Sequence, residues 1–171
     1  MTMTTNLSSD DVLVRNLRPK DLDRVVDVDR RNAGRSRAKY FEVKLAQALA
    51  DTGIQVSLAA ELDGAFAGFL LARVYYGEFG ATEQSAVLDT IGVHPAFQGR
   101  GVGQALLRQL RANLLALGIP TLRTEVAWQN QRLLSFFHRE GFLPAPRLCL
   151  DLGLAQARTT DARREVERAE A

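Results

Sequence analysis

The sequence predicts a mixed α/β domain, and three observations carry that prediction. Strand-like and helix-like stretches follow one another in the order β, α, α, then three β, then α, β, α, β, a pattern of helices packed against a sheet. The run Leu88-Asp89-Thr90-Ile91-Gly92-Val93, closed by Pro95, passes directly into a glycine-rich turn, Gln98-Gly99-Arg100-Gly101-Val102-Gly103, and then into an amphipathic helix. Of the 171 residues, 46% are hydrophobic, which suits one domain with a real core.

The elements follow in order. Residues 1–11 form a polar, Thr-rich tail; the domain itself spans 12–152; a charged tail, 153–171, is helical or disordered. Val12–Leu17 reads as the first strand. Pro19 opens a helix with Asp21 and Asp23 in its first turn. Leu22, Val25, Val26 and Asp29 continue at helical spacing until Asn32-Ala33-Gly34 breaks it. Ser36 caps a second helix, Arg37–Ala50, whose apolar side is Tyr40, Phe41, Leu45, Ala48 and Leu49. Arg30, Arg31, Arg35, Arg37 and Lys39 make this helical pair basic, read first as a solvated surface, with attraction for an acidic ligand as the rival. Gln55–Leu62 and Ala65–Tyr76 are strands joined at Asp63-Gly64, a two-residue hairpin turn. The segment Tyr75–Glu83 mixes aromatics, glycines and acids, and either shapes a substrate site or is a longer hairpin with one buried aromatic.

Ser85–His94 is the central strand, ended by Pro95, which has no ladder donor. Val102, Leu106, Leu110, Leu114 and Leu117 line one face of the next helix, with Gly118 as its C-cap. Thr121–Ala127 is a strand. Asn130 caps a helix through Glu140, Gly141 ends it, and Phe142 opens the last strand region. There Pro144 and Pro146 mark an edge or bend, and Arg147–Leu152 completes the strand.

Composition excludes several classes. A net charge of +2 with no Lys/Arg block in the body of the chain argues against nucleic acid as a partner. Cys149 stands alone, so there is neither a disulfide framework nor a metal-ligand spacing, and in a strand-like run it reads as a small core residue. No apolar run reaches membrane-spanning length, and Met1–Asp11 lacks the apolar centre of a signal peptide. A cytoplasmic, reducing location is the default expectation.

Chemistry concentrates at the glycine turn. Glycine lets the backbone approach a ligand closely and take left-handed dihedrals. The first turn of a helix offers unpaired N–H groups at the positive end of its dipole. Strand, turn and helix start therefore make a site for phosphate or pyrophosphate; glycines serving only a tight connection are the equal alternative. A P-loop is excluded because no Lys lies in the turn, and the dinucleotide fingerprint has a different glycine spacing.

The turn, preceded by Ile91-Gly92-Val93-His94-Pro95, resembles the acetyl-coenzyme A signature of the GCN5-related N-acetyltransferase (GNAT) superfamily. That signature is Gln or Arg, x, x, Gly, x, Gly or Ala, after a strand ending in Val-x-Pro. A second block agrees: Glu125-Val126-Ala127-Trp128-Gln129-Asn130, then Phe136-Phe137-His138-Arg139-Glu140-Gly141-Phe142, similar to the family's strand, Asn-initiated helix and closing Gly-Phe. The resemblance covers 12–152. It implies the GNAT fold, a mixed central sheet of six to seven strands flanked by four helices. Strands 4 and 5, here Ser85–Val93 and Thr121–Ala127, would be parallel and splayed. It implies acetyl-coenzyme A as cosubstrate and no metal. Its pantetheine would pair with backbone along Ile91, Gly92 and Val93, like an added strand. Its pyrophosphate would lie on the N–H groups of Gly99, Arg100, Gly101, Val102 and Gly103, with the side chains of Gln98 and Arg100 assisting. Asn130 and Phe137 belong to the same implied cofactor set.

Acetyl transfer to an amine needs a proton removed, a donor for the thioester carbonyl, and a tolerable leaving group. Glu125 is the first candidate base. With Asn130 and Phe137 it aligns with a Glu, Asn and Tyr in the branch that acetylates protein N-termini, where the Glu is thought to be the base. Asp89 and Glu83 are its rivals, and a strand-end surface charge is the plain alternative. Phe137 stands where that branch has its acid Tyr, and Phe has no proton to give. His138 is turned about 100° away along the helix, and Ser135 is also on another face. Tyr75 or Tyr76 could serve, or the thiolate leaves unaided. The expected function is an N-acetyltransferase acting on a primary amine, a protein N-terminus or a small amine. The alternative is a non-catalytic acyl-coenzyme A-binding or regulatory protein. The edge strand after Phe142 is available to pair with a second copy as a homodimer.

Overall fold

The computed structural model describes residues 11–50, 54–77, 80 and 82–154. The expectations placed on residues 1–10, on 78, 79 and 81 of the aromatic segment, and on the tail from 155 lie outside these. Two compact units divide the chain, residues 1–134 and 135–171.

The first unit holds a five-stranded sheet, ordered β1 to β5: β1 (Leu13–Asn16), β2 (Leu58–Leu62), β3 (Ala65–Tyr76), β4 (Gln84–Val93) and β5 (Leu122–Arg123). Neighbours from β1 to β4 are antiparallel, and β5 runs parallel to β4. The helices are α1 (Leu22–Ala33), α2 (Ala38–Ala50), α3 (Val102–Ala116) and α4 (Gln131–Arg139). The β2–β3 turn is the expected one. Asp63 and Gly64 have φ of 53° and 74°, the doubly left-handed turn whose twist matches that of the flanking strands.

Apolar periodicity builds the core. Leu17, Val25, Val28, Phe41, Leu45, Phe69 and Leu71 form one buried cluster, with Phe41 edge-on to Phe69 at 5.7 Å. Val102, Leu106, Leu110 and Leu114 bury one stripe of α3. Leu117, expected on that stripe, is exposed. It is the C-cap, beyond the last helical turn, and Gly118 (φ 72°) follows it. The N–H groups of Gly118 and Ile119 donate to the carbonyls of Leu115 and Leu114, the glycine-dependent closure that satisfies a helix end. Tyr40 is likewise exposed where an apolar position was expected.

Two buried carboxylates tie the helices down. Asp21 is fully buried and receives two hydrogen bonds from Arg15, at 2.7 and 2.9 Å, and one from the Arg18 N–H at 2.9 Å. Burial works against its charge. The Arg15 hydrogen bonds, the Arg18 N–H and the nearby positive charge outweigh burial and hold the carboxyl below its usual range. Asp29, on α1, pairs with Arg37 just before α2, and Arg30 and Arg31 both pair with Asp27. Three of the five cations in the basic helical pair are thus already balanced, which fits a solvated surface.

The sheet shows five strands among the described residues, not six to seven, and β5 is two residues long rather than Thr121–Ala127. The region from Phe142 to Leu152 forms no strand. Pro144 and Pro146 lack N–H donors, and the Arg147 N–H is spent on the Ala145 carbonyl at 2.8 Å. Leu148, Leu150 and Leu152 are consequently exposed. Cys149 is exposed too, not a core residue. Among the described residues no helix is long and apolar enough to cross a membrane, and no cluster of His, Cys, Asp or Glu is arranged to hold a metal.

Candidate active site

The site begins with the hydrogen-bond phase of β4. The His94 N–H donates to the Ala67 carbonyl at 2.8 Å, across to the β3 side. Antiparallel ladders alternate, so the N–H and C=O groups of Ile91 and Val93 point the other way. At the start of β4 the Ala86 N–H donates to the Thr121 carbonyl at 2.8 Å, on the β5 side. Between these two regions the β3–β4 register shifts. Leu71 faces Thr90 and Ala72 faces Leu88, which leaves Asp89 unpaired as a bulge.

Strand β5 leaves β4 early. Pairing covers only Ala86–Leu122 and Val87–Arg123, and then the Thr124 hydroxyl, rather than a backbone group, donates to the Leu88 carbonyl at 2.9 Å. Beyond Leu88, among the described residues, no strand runs along that side of β4. The expected splay is therefore present, and the N–H groups of Ile91 and Val93 and the Ile91 carbonyl line the gap. The Val93 carbonyl is already occupied. It accepts from Asn32 Nδ2 at 3.0 Å and Gln98 Nε2 at 3.3 Å.

Gly92 belongs to packing rather than to the gap. A Cβ there would lie 2.8 Å from Phe69 Cε1, and Phe69 is fully buried. Only glycine lets that ring lie against β4.

After β4 the chain makes a 3-10 turn, Pro95–Phe97, in which His94 accepts from the Ala96 N–H at 3.1 Å. Gly99 and Gly101 follow with φ of 77° and 79°, values that L side chains resist. Helix α3 then starts at Val102 with no side-chain cap. The first intrahelical bond is from Ala105 to Gly101, so the N–H groups of Val102, Gly103 and Gln104 have no intrahelical acceptor. They converge with the positive end of the dipole on the turn.

The two side chains expected to assist there are spent within the protein. Gln98 donates both its amide hydrogens, to Asn32 Oδ1 at 2.9 Å and to the Val93 carbonyl, and its Oε1 accepts from Arg132 at 2.7 Å. Arg100 pairs with Asp63 at 2.9 Å and stacks over Phe97. Asn130 caps α4 as expected, accepting from the Leu133 N–H at 3.2 Å. Phe137 is buried, its ring 4.9 Å from that of Phe142; His138 is exposed.

The three candidate bases are not equivalent. Glu125 lies two residues past the Val87–Arg123 pair, beyond the last residue of β5, and it is exposed. Asp89 accepts from Arg73 at 2.9 Å and lies 3.5 Å from Lys44. Glu83 precedes β4 by one residue, roughly 30 Å along the strand from Val93 at the usual rise. Asp89, within β4, is thus held by cations, Glu125 lies past the end of β5, and Glu83 stands at the other end of β4 from Val93. Sequence reading missed Asn32, Thr124 and Arg132. Only Arg132 carried a signal, since a cation in the first turn of a helix opposes the dipole unless something holds it there.

Comparison with known proteins agrees with this fold. The acetyltransferase (GNAT) family model matches residues 22–142. Among solved structures, a transcriptional regulator from Bacillus halodurans C-125 is 17% identical with a TM-score of 0.70, covering 84% of this chain and 99% of its own. The aminoglycoside N-acetyltransferase AAC(6')-Iy in complex with CoA is 17% identical with a TM-score of 0.69, over 84% of this chain and 95% of its own. The ribosomal-protein-alanine N-acetyltransferase from Brucella melitensis biovar Abortus 2308 is 18% identical with a TM-score of 0.66, over 84% of this chain and 99% of its own.

Proposed function

The chain belongs to the acetyltransferase (GNAT) family, and from that premise we propose that it transfers an acetyl group from acetyl-coenzyme A to a primary amine by direct attack on the thioester. One observation carries this reading: the open edge of β4 at Ile91 and Val93 leads directly into the uncapped turn at Gly99–Gly103. Amide groups along the gap suit a pantetheine arm laid as an added strand, and the turn's N–H groups suit a pyrophosphate. That AAC(6')-Iy was crystallised with CoA on a similar fold supports the same cosubstrate here.

In this reading Glu125 takes the proton of the incoming ammonium through water. The amine nitrogen bonds to the carbonyl carbon while the Val93 N–H donates to the carbonyl oxygen. The C–S bond breaks, the nitrogen gives its second proton to water as the amide forms, and the thiolate takes a proton from water, because Phe137 has none to give. The acceptor is an exposed amine, a peptide N-terminus or a small amine; relatives of similar fold carry ribosomal-protein-alanine and aminoglycoside acceptors in their names. The reaction belongs in the cytoplasm, and a homodimer forms through the exposed segment 147–152.

The test is coenzyme A thiol release from acetyl-coenzyme A at near-neutral and alkaline pH. The acceptor panel holds N-terminal peptides, lysine peptides, polyamines and amino acids, with wild type beside Glu125→Gln. Turnover of one acceptor class, lost in Glu125→Gln with coenzyme affinity intact, is the expected result. A variant that keeps its rate removes Glu125 as base and leaves Asp89. Tight coenzyme binding without turnover of any acceptor favours a binding protein, the reading that Phe137 supports.

A further inference from the structure

We propose that Arg132 binds a phosphate of the coenzyme. This rests on the coenzyme reading above and adds a residue to it. Both side chains that the turn itself offers are already engaged, one in its hydrogen bonds and the other in its charge. Gln98 has two amide hydrogens, both donated within the protein, and the Arg100 guanidinium is paired with Asp63. Arg132 reaches the turn from another element. It sits in the first turn of α4, where the dipole disfavours a cation, and among the described residues it has no carboxylate partner. Its hydrogen bond of 2.7 Å to Gln98 Oε1 is to the residue that opens the glycine turn.

Asn32 and the Val93 carbonyl lock Gln98 in turn, so the guanidinium is anchored rather than swinging free. A guanidinium carries five N–H donors in a planar fork. One is fixed by Gln98, and the others remain for an anion laid on the turn. An exposed cation held against a dipole, and tied to the side chain of the residue that opens the glycine turn, is arranged for a phosphate.

Calorimetric titration of wild type, Arg132→Gln and Arg132→Lys with coenzyme A and with dephospho-coenzyme A, at several salt concentrations, tests this. Arg132→Gln is expected to weaken coenzyme A roughly tenfold or more, the scale of a hydrogen bond to a charged group, and to flatten the dependence of affinity on salt. Arg132→Lys recovers part of the loss. If the loss vanishes with dephospho-coenzyme A, the 3′-phosphate is the one bound; if it persists, the pyrophosphate is. Coenzyme A affinity within twofold of wild type overturns the proposal. So does a weaker affinity with unchanged salt dependence, since that marks a purely structural role through Gln98. Wild type that binds neither ligand overturns the coenzyme reading itself.

Discussion

Replacing Gly92 with alanine tests how β4 is seated on the core. The added Cβ would lie 2.8 Å from Phe69 Cε1, 3.1 Å from Cζ and 3.4 Å from Val28 Cγ1. The first distance is below any real Cβ contact. The ring cannot retreat freely, because Phe69 is fully buried and edge-on to Phe41. Overpacking of this kind costs about 1–3 kcal/mol. At about 2–4 °C per kcal/mol for a chain of this size, Gly92→Ala should melt roughly 2–12 °C below wild type. Urea and thermal unfolding would measure this, and Phe69→Leu in both backgrounds would attribute it. The leucine leaves a cavity of its own but removes the clash, so the two penalties should fall short of their sum by about 1 kcal/mol or more. Gly99→Ala is the contrast. A Cβ there meets nothing within 4 Å, but φ is +77°, so its cost of about 1–2 kcal/mol is backbone strain and should add independently of Phe69. A Gly92→Ala protein that melts with wild type, or penalties that simply add, would refute the packing argument.

Three further outcomes are expected. Asp21 has a folded-state pKa below its unfolded one, so its stabilisation is complete above about pH 4 and is lost as pH falls through the lower value. Asp21→Asn should cost about 3 kcal/mol, as one member of a buried pair, and should shallow the acid limb of a stability-versus-pH curve; an unchanged limb would assign acid unfolding to other groups. Gly103→Val should abolish coenzyme A binding in calorimetry while leaving the melting temperature near wild type, because residue 103 lies in the first turn of α3; retained affinity would move the pyrophosphate off this turn. Finally, antiparallel pairing of two copies about Cys149 sets Arg147 opposite Asp151 and Leu148 opposite Leu150. Mild oxidation should then trap a disulfide dimer that Cys149→Ser cannot form. Failure to cross-link at concentrations where light scattering shows a dimer would place the interface elsewhere.

Local signals in the chain were read well. The Asp63-Gly64 turn and the limits of β3 came from turn chemistry and alternation, and the buried stripe of α3 came from leucine spacing. The glycine turn declared itself because left-handed φ at Gly99 and Gly101 needs glycine. What escaped is non-local or unmarked. Asn32 meets Val93 across 61 positions, and Arg132 meets Gln98 across 34; no spacing rule joins such pairs. That Gln98 and Arg100 are already engaged follows from those contacts, so the motif alone overstated their freedom. Alternation at Leu148, Leu150 and Leu152 has the period of a strand, but periodicity cannot reveal whether a neighbouring strand is there to receive it. The bulge at Asp89 carries no glycine or proline to announce it.

That bulge behaves as a frameshift in the strand. Before Asp89, even-numbered residues, Ala86 and Leu88, turn their backbone groups toward β5; after it, odd-numbered residues do. One unpaired residue thus decides that Ile91 and Val93, not Thr90 and Gly92, are the ones whose amides a ligand meets. Side-chain replacement at position 89 alters a charge pair with Arg73 and Lys44 but leaves this reading frame intact. Removing the residue altogether would exchange the inner and outer edges of everything from Thr90 to Val93. The length of this strand is therefore under tighter constraint than the chemistry of any single residue in it.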